Sequence, residues 1–262
     1  MSEMSGKMLP AVSIIIPTLN EERYIPLLLA SLSPIQAPME IIVVDGRSGD
    51  KTVEMVEKFA PHFTGTRSLR VLRAQGRGIA MQRNEGAKVA QHALLLFLDA
   101  DVIIPSPASY ETMIATFQKK GFVVASPLIE GLEHHIIPDL IYGGFHVLQR
   151  IYLLFGKAYF PGACMLTRKD VFTALGGFDT SHHVAEDLEY SLKAARYGTP
   201  GLLGVRIPTS TRRFKQYGYI SVCRTYAIGA LRVMFTGRIP RQHQRYPFGE
   251  YAEPSRTPLS KP

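Results

Sequence analysis

Leu94-Leu95-Leu96-Phe97-Leu98-Asp99-Ala100-Asp101 runs five large apolar residues straight into two aspartates spaced one apart. An uninterrupted apolar run of that length suits a strand buried on both faces of a parallel sheet, because a half-exposed strand would alternate. Ligands of open α/β sheets bind beyond the carboxyl ends of the strands, which puts both carboxylates where a ligand would sit. Residues i and i+2 of an extended segment point the same way, so Asp99 and Asp101 can share one target. Hard oxygen ligands at that spacing suit Mg²⁺ or Mn²⁺ holding a diphosphate. An Asp-x-Asp after a strand also serves as a plain polar turn, so the rest of the chain has to decide.

Working outward, Val12 to Ile16 is a buried strand ended by Pro17. Thr18 or Asn20 is placed to cap a helix that carries Glu21 and Glu22 in its first turn and runs to about Leu32. Glu40 to Asp45 reads as a second strand, Gly46 to Asp50 as a turn and Lys51 to Ala60 as a helix. Leu69 to Arg73 is a short third strand, and a helix over Arg77 to Gln91 leads into the opening stretch. The alternation β-α-β-α-β-α-β predicts a doubly wound, mostly parallel sheet. Two nucleotide motifs are excluded. No Gly-x-x-x-x-Gly-Lys-Ser/Thr occurs, and Gly76-Arg77-Gly78 starts a dinucleotide fingerprint whose third glycine position holds Met81.

The 262 residues have ordinary globular composition, with 46% hydrophobic and 20% charged residues. The charge is uneven. Eleven of the 30 Lys/Arg and two of the 22 Asp/Glu lie from Arg206 onwards, which puts +9 there and leaves −1 for the 205 residues before it. Cys164 and Cys223 give no disulfide framework, which makes a reducing cytoplasm the default. Met1 to Pro10 lacks the apolar core of a signal peptide, and no window of ~18 residues is apolar enough for a transmembrane helix.

Four segments in order carry a family resemblance: Ser13-Ile-Ile-Ile-Pro-Thr-Leu-Asn-Glu-Glu22, Ile42-Val-Val-Asp-Gly-Arg-Ser-Gly-Asp50, Arg83-Asn84-Glu85-Gly86-Ala87 leading to Asp99-Ala-Asp101, and Gly176-Gly177-Phe178-Asp179 followed by Glu186-Asp187, Arg196 and Gly198. Over Val12 to Gly198 the chain resembles the inverting glycosyltransferases of family 2, which have the GT-A fold. The resemblance implies a GT-A domain over residues 1–205 and leaves 206–262 as a basic, helical C-terminal extension.

The resemblance also implies roles. The loop from Pro17 through Thr18 and Asn20 to Glu22 lines the donor nucleoside, and Asp45 can accept the imide N–H of uracil or cap a turn. Arg77 and Arg83 can neutralise the diphosphate or lie on a solvated helix face, while Asn84 packs the loop. Asp101 is the direct metal ligand with Asp99 beside it, so Mn²⁺ or Mg²⁺ is the implied cofactor. Glu186-Asp187 resembles the family's catalytic acid pair: Asp187 takes the proton of the acceptor hydroxyl and Glu186 supports the acceptor or the fold. His182 and His183 are expected at the surface. The implied reaction is a single in-line displacement on a nucleotide-diphosphate sugar, with a UDP-linked donor expected.

Departures are visible. Asp45-Gly46-Arg47-Ser48 stands where the family often has Asp-Asp-Gly-Ser, and the Gln-x-x-Arg-Trp motif of processive synthases is missing. The expected enzyme therefore adds one sugar, and Arg212 or Arg213 reaches the diphosphate or an anionic acceptor. Between metal motif and base lies the apolar stretch Ile136 to Phe160, which is a core helix or the site of a glycan or lipid-linked acceptor. Gln216 to Thr236 is apolar and tyrosine-rich, with Arg224 and Arg232 about 80° apart on a helix. Together with Arg238, Arg241 and Arg245 it suits either an anionic membrane surface, which would make this a cytoplasmic protein peripheral to the inner face of the cytoplasmic membrane, or packing on the catalytic domain with its arginines on a phosphate-bearing acceptor. Two rival readings are a sugar nucleotidyltransferase and a non-catalytic protein that binds sugar, nucleotide or nucleic acid. The first needs a Gly-rich basic loop after the first strand, where Pro17-Thr18-Leu19-Asn20 stands. The second has no need of both acid pairs, and no nucleic-acid partner is expected.

Overall fold

The computed structural model describes residues 9–76, 78–133, 136–181, 185–219 and 224. In chain order the elements are β1 (Val12–Thr18), α1 (Ile25–Leu32), β2 (Met39–Asp45), α2 (Thr52–Phe59), β3 (Arg67–Arg73), α3 (Ile79–Val89), β4 (Leu94–Leu98), α4 (Pro107–Lys120), β5 (Val124–Gly131), α5 (Ile136–Leu154), β6 (Cys164–Arg168), α6 (Lys169–Ala174), α7 (Glu186–Ala194), β7 (Pro200–Thr209) and α8 (Arg212–Tyr217). The strands form one sheet in the order β3-β2-β1-β4-β6-β5-β7. All run the same way except β6, which is antiparallel to both β4 and β5.

The opening stretch does what its composition dictates. Leu95 to Leu98 have no exposed surface, because β4 is covered on both faces. Leu96 and Leu98 pack with Ile14, Ile16, Val43 and the apolar faces of α1 and α4. Leu95 and Phe97 point the other way, to Ile15, Val44, Ala87 of α3, Phe172 of α6 and Tyr190 of α7. Helices therefore cover both faces of the sheet, as the alternation predicted. On the second face α3 lies very close to β1 and β2. A side chain at Gly86 would put its Cβ 2.5 Å from Ile15 Cγ2 and 2.9 Å from Val44 Cγ2.

The strand order reverses between β1 and β4, and the crevice at such a switch point is where ligands of open sheets bind. The lone antiparallel strand matters here. Because β6 runs backwards, its beginning rather than its end lies at the ligand edge. Ala163 O accepts from Asp99 N–H at 3.0 Å, so the Pro161–Ala163 loop borders the aspartates. At the other side the end of β7 meets the same turn, with Ser210 N–H on Asp101 O at 3.1 Å.

Three sequence expectations shift. The first helix does not start at a Thr18 or Asn20 cap: Thr18 is still strand, Asn20 sits at φ 58° and the helix begins at Ile25. The third helix spans Ile79–Val89 rather than Arg77 to Gln91. β7 crosses position 205, where the sequence divides a neutral part from a basic one. Four elements went unassigned in the sequence: α4, β5, β7 and α8. The signals for α4 are local: Ser106 Oγ accepts from Ser109 N–H at 3.1 Å and Gly121 takes the left-handed C-terminal conformation at φ 65°. Among the described residues no helix is long and apolar enough to cross a membrane.

Candidate active site

Three loops meet at the carboxyl edge. The first two are laced together by backbone-directed bonds. Asn20 N–H donates to Ser48 Oγ at 2.9 Å and Asn20 Oδ1 accepts from Gly49 N–H at 2.9 Å. Glu22 Oε2 accepts from Lys51 N–H at 3.0 Å. Asp45 caps the turn that follows it, taking Arg47 N–H at 3.1 Å and Ser48 Oγ–H at 2.5 Å. Gln82 of α3 pins the ends of both strands, its Nε2 donating to Thr18 O at 2.8 Å and Val44 O at 2.7 Å. Pro17 lies within β1, paired with Val44. The nucleoside loop expected from the sequence is thus one rigid surface, and the alternative turn-capping reading of Asp45 describes its contacts within the chain.

Beside it two arginines hold the acids. Arg83 is buried, and its guanidinium bonds Asp99 Oδ1 at 2.7 Å, Glu186 Oε1 at 2.8 Å and Gly162 O at 3.0 Å. Position 162 has to be glycine for this, since a Cβ there would stand 2.5 Å from Arg83 Nη2. Burial overturns the solvated helix face that the sequence offered for Arg83, and its charge is shared here between two carboxylates. Arg212, from the start of α8, forks onto Glu21 at 2.7 and 2.8 Å, places Nε 3.1 Å from Asp101 Oδ2 and lies over the Tyr24 ring at 4.3 Å. A bidentate fork of this kind is among the stronger and more directional ion pairs. It joins residues 191 apart in the chain, and neither Glu21 nor Tyr24 carried a sequence signal for it.

Asp187 accepts from Gly162 N–H at 2.5 Å and Leu188 N–H at 2.8 Å. Its neighbour Glu186 is buried on Arg83. Ala185, just before them, is forced to φ 65°, a left-handed conformation for a residue with a side chain, at the point where the helix presents both acids. Burial raises the affinity of both acids for protons. For Glu186 the adjoining Asp187 charge adds to the effect and Arg83 opposes it. For Asp187, Arg83 and the two N–H groups oppose it.

Asp99, Asp101, Arg83, Glu186 and Asp187 all line one cavity of about 170 Å³. Its opposite wall is the inner face of α5, with Tyr142, Phe145 and Gln149. The sequence placed the two acid pairs together, and the structure brings them there. Asn84 packs as expected, bridging the backbone of Phe178 with 2.8 and 2.9 Å bonds. Arg77, His182 and His183 lie outside the described residues, as do the side chain of Arg213 and nearly all of the stretch from Gln216 to Thr236.

A doubly wound sheet with one reversed strand, and two acid pairs joined by Arg83 at its switch point, is the arrangement that the GT-A resemblance implied. A family model described as "Glycosyl transferase family 2" matches residues 13–176, and the chain belongs to that family. It is 28% identical over 213 residues to a PGL/p-HBAD biosynthesis glycosyltransferase of Mycobacterium bovis, covering 81% of this chain and 79% of the relative. Two solved structures share the fold. One is the mannosyltransferase PcManGT from Pyrobaculum calidifontis in complex with GDP-Man and Mn²⁺, with TM-score 0.65, 20% identity and 85% of this chain covered. The other is TarS 1-349 of S. aureus in complex with UDP-GlcNAc, with TM-score 0.62, 23% identity and 77% covered. This chain spans 65% and 59% of those two chains.

Replacing Arg83 by Met should be severe, because it leaves Glu186 buried with its charge unpaired. A loss of about 3–5 kcal/mol is expected at pH 8. The sign with pH follows from the raised proton affinity of the acids. A carboxylate with a raised folded pKa binds more protons folded than unfolded, so stability falls as pH rises from the ordinary range near 4. The Met variant should therefore recover part of its deficit at pH 5, read from urea midpoints at the two pH values. An equal deficit at both would show that Glu186 is not the group left exposed to the change.

Proposed function

We propose that the chain transfers one sugar from a nucleotide-diphosphate sugar, UDP-linked, to an acceptor hydroxyl with inversion at the anomeric carbon. The observation that carries this reading is the charge of the cavity edge. Among the described residues five acids, Glu21, Asp99, Asp101, Glu186 and Asp187, gather there around two arginines that bond or face them, Arg83 and Arg212. A divalent cation suits that excess. Among the described residues no three His, Cys, Asp or Glu come together as a ready ligand set. Two carboxylates alone fit Mg²⁺ or Mn²⁺ of the kind that completes its shell with water and substrate phosphates. Asp101 and Asp99 would hold the ion, which when bound supplies charge stabilisation to the leaving diphosphate. The Mn²⁺ in the Pyrobaculum structure and the UDP-sugar in TarS support this choice of partners.

The chain's own groups do the rest. Asp187 is held by two N–H groups at the cavity wall, with its affinity for a proton raised by burial, as a general base working near neutrality requires. It takes the proton of the acceptor O–H as that oxygen bonds to the anomeric carbon. The bond from that carbon to the phosphate oxygen breaks, and its electron pair leaves with the nucleoside diphosphate. Arg83 keeps Asp99 and Glu186 in place. Arg212 fixes Asp101 against the first loop. Asp45 at the end of β2 and the Pro17–Glu22 loop are the surface that would read the nucleoside.

Two features support an acceptor held at a membrane surface. From Ile136 to Phe155 seven large apolar side chains are 45–83% exposed along the outer side of α5, out of ten such residues among those described. Patches of that kind mark interaction surfaces. The segment from Arg224 to Arg245 adds five arginines. Sedimentation with vesicles tests it: binding should require anionic lipid and weaken with salt. Equal recovery in the supernatant with and without vesicles would end the membrane reading while leaving the transferase reading intact.

Two variants test the chemistry. UDP with Mn²⁺ should raise the melting temperature of the wild-type protein, and Asp101→Ala should lose the Mn²⁺-dependent part of that rise. An unchanged response in the variant would remove Asp101 from the metal. Asp187→Asn keeps the shape but only one of the two accepted bonds, because its Nδ2 cannot accept, and it takes no proton. Turnover should fall on the order of 10²-fold with the UDP response retained. Near-normal turnover would pass the role of base to Glu186.

A further inference from the structure

The turn after β2 carries a residue that its backbone does not favour. Arg47 sits at φ 67°, in the left-handed region that a residue with a side chain seldom enters. The Asp-Asp-Gly-Ser pattern of the family has glycine at this position, where the same backbone is free of strain. Strain of this kind concentrates at functional sites, where a particular side chain is kept in spite of it.

The Arg47 side chain crosses from the end of β2 to the end of β3, where Nη2 donates to Gln75 O at 3.0 Å. Gln75 is fixed from its other side, its N–H shared between the two oxygens of Glu85 at 3.2 Å each. This bridge borders Asp45 on the β3 side, as the bonds of Asn20 to Ser48 and Gly49 border it on the β1 side. Asp45 itself is 3% exposed, and its carboxylate already takes Arg47 N–H, Ser48 N–H and Ser48 Oγ–H. Arg47 is exposed, and its guanidinium has five N–H donors, of which Gln75 O takes one. An arginine donates and never accepts, so it tells bases apart by their carbonyl oxygens. Uracil and guanine present an exocyclic oxygen where cytosine and adenine present an amino group.

We propose that Arg47 is a specificity-determining residue for the donor, its guanidinium donating to an exocyclic carbonyl oxygen of the base. The proposal rests on the nucleoside surface assigned above to Asp45 and the Pro17–Glu22 loop. It adds the group that selects a keto base over an amino one. A base with a poorer acceptor at that point loses a charge-assisted bond and binds more weakly.

The test uses UDP, 2-thio-UDP and 4-thio-UDP. All three keep the imide N–H, the ribose and the diphosphate, and each analogue replaces one base oxygen by sulfur, a weaker acceptor. Each is titrated by calorimetry into the full-length protein with Mn²⁺ present. UDP should bind wild type about fivefold or more tighter than at least one of the thio analogues. In Arg47→Gly, which suits the backbone, and in Arg47→Asn, which tolerates it but is too short to reach the base, that preference should shrink to about twofold or less. The affinity for the disfavoured analogue should stay as in wild type. An arginine that only ties the two turns together would weaken all three nucleotides alike in the variants, and that result overturns the proposal. A preference that is absent from wild type, or that survives in both variants, overturns it as well. Failure of wild type to bind UDP at all would instead overturn the UDP-linked donor on which the proposal stands.

Discussion

The buried Arg83 guanidinium is the interaction on which the site depends. It rises from α3 into a space walled by β4, by the loop entering β6 and by the first turn of α7, and it bonds a group from each. A buried cation needs such partners, since an unpaired charge in the interior is very unfavourable. Glu186 needs it in turn, because burial favours its neutral form and Arg83 opposes that. Three pieces of chain 16, 79 and 103 residues from Arg83 are thereby fixed relative to one another. The glycine at position 162, the left-handed Ala185 and the reversed strand β6 are the backbone features that let those pieces converge.

Arg212 plays the corresponding part at the other end of the crevice. It ties the chain leaving β7 to the loop after β1 and to Asp101, with the Tyr24 ring beneath its guanidinium. The two arginines thus divide the aspartates between them, Arg83 on Asp99 and Arg212 on Asp101. Each holds an acid in place while covering part of its charge.

α5 differs from the other helices in being apolar on two sides. Its inner face closes the cavity over the acids with Tyr142, Phe145 and Gln149, and its outer face leaves Ile136, Leu140 and Leu154 exposed. A helix apolar all round is ordinarily a buried one. This one lies on the rim of the site, so whatever meets its outer face is brought next to the chemistry on its inner face.

The sequence by itself determined the sheet. Five apolar residues in a row at β4 and the Val12–Ile16 and Glu40–Asp45 runs are legible because burial on both faces removes the alternation a half-exposed strand would show. It also determined the two acid pairs, since Asp99-Ala-Asp101 and Glu186-Asp187 stand at element ends that topology brings to one edge. Asn84 was read correctly as packing. What the sequence did not contain was which charges neutralise which. Arg83 and Arg212 were read as groups for a ligand because an arginine near a motif has no local mark of its partner, and Glu21 was passed over for Glu22. Long-range pairing is set by the order of strands and by one strand running backwards, and neither follows from periodicity.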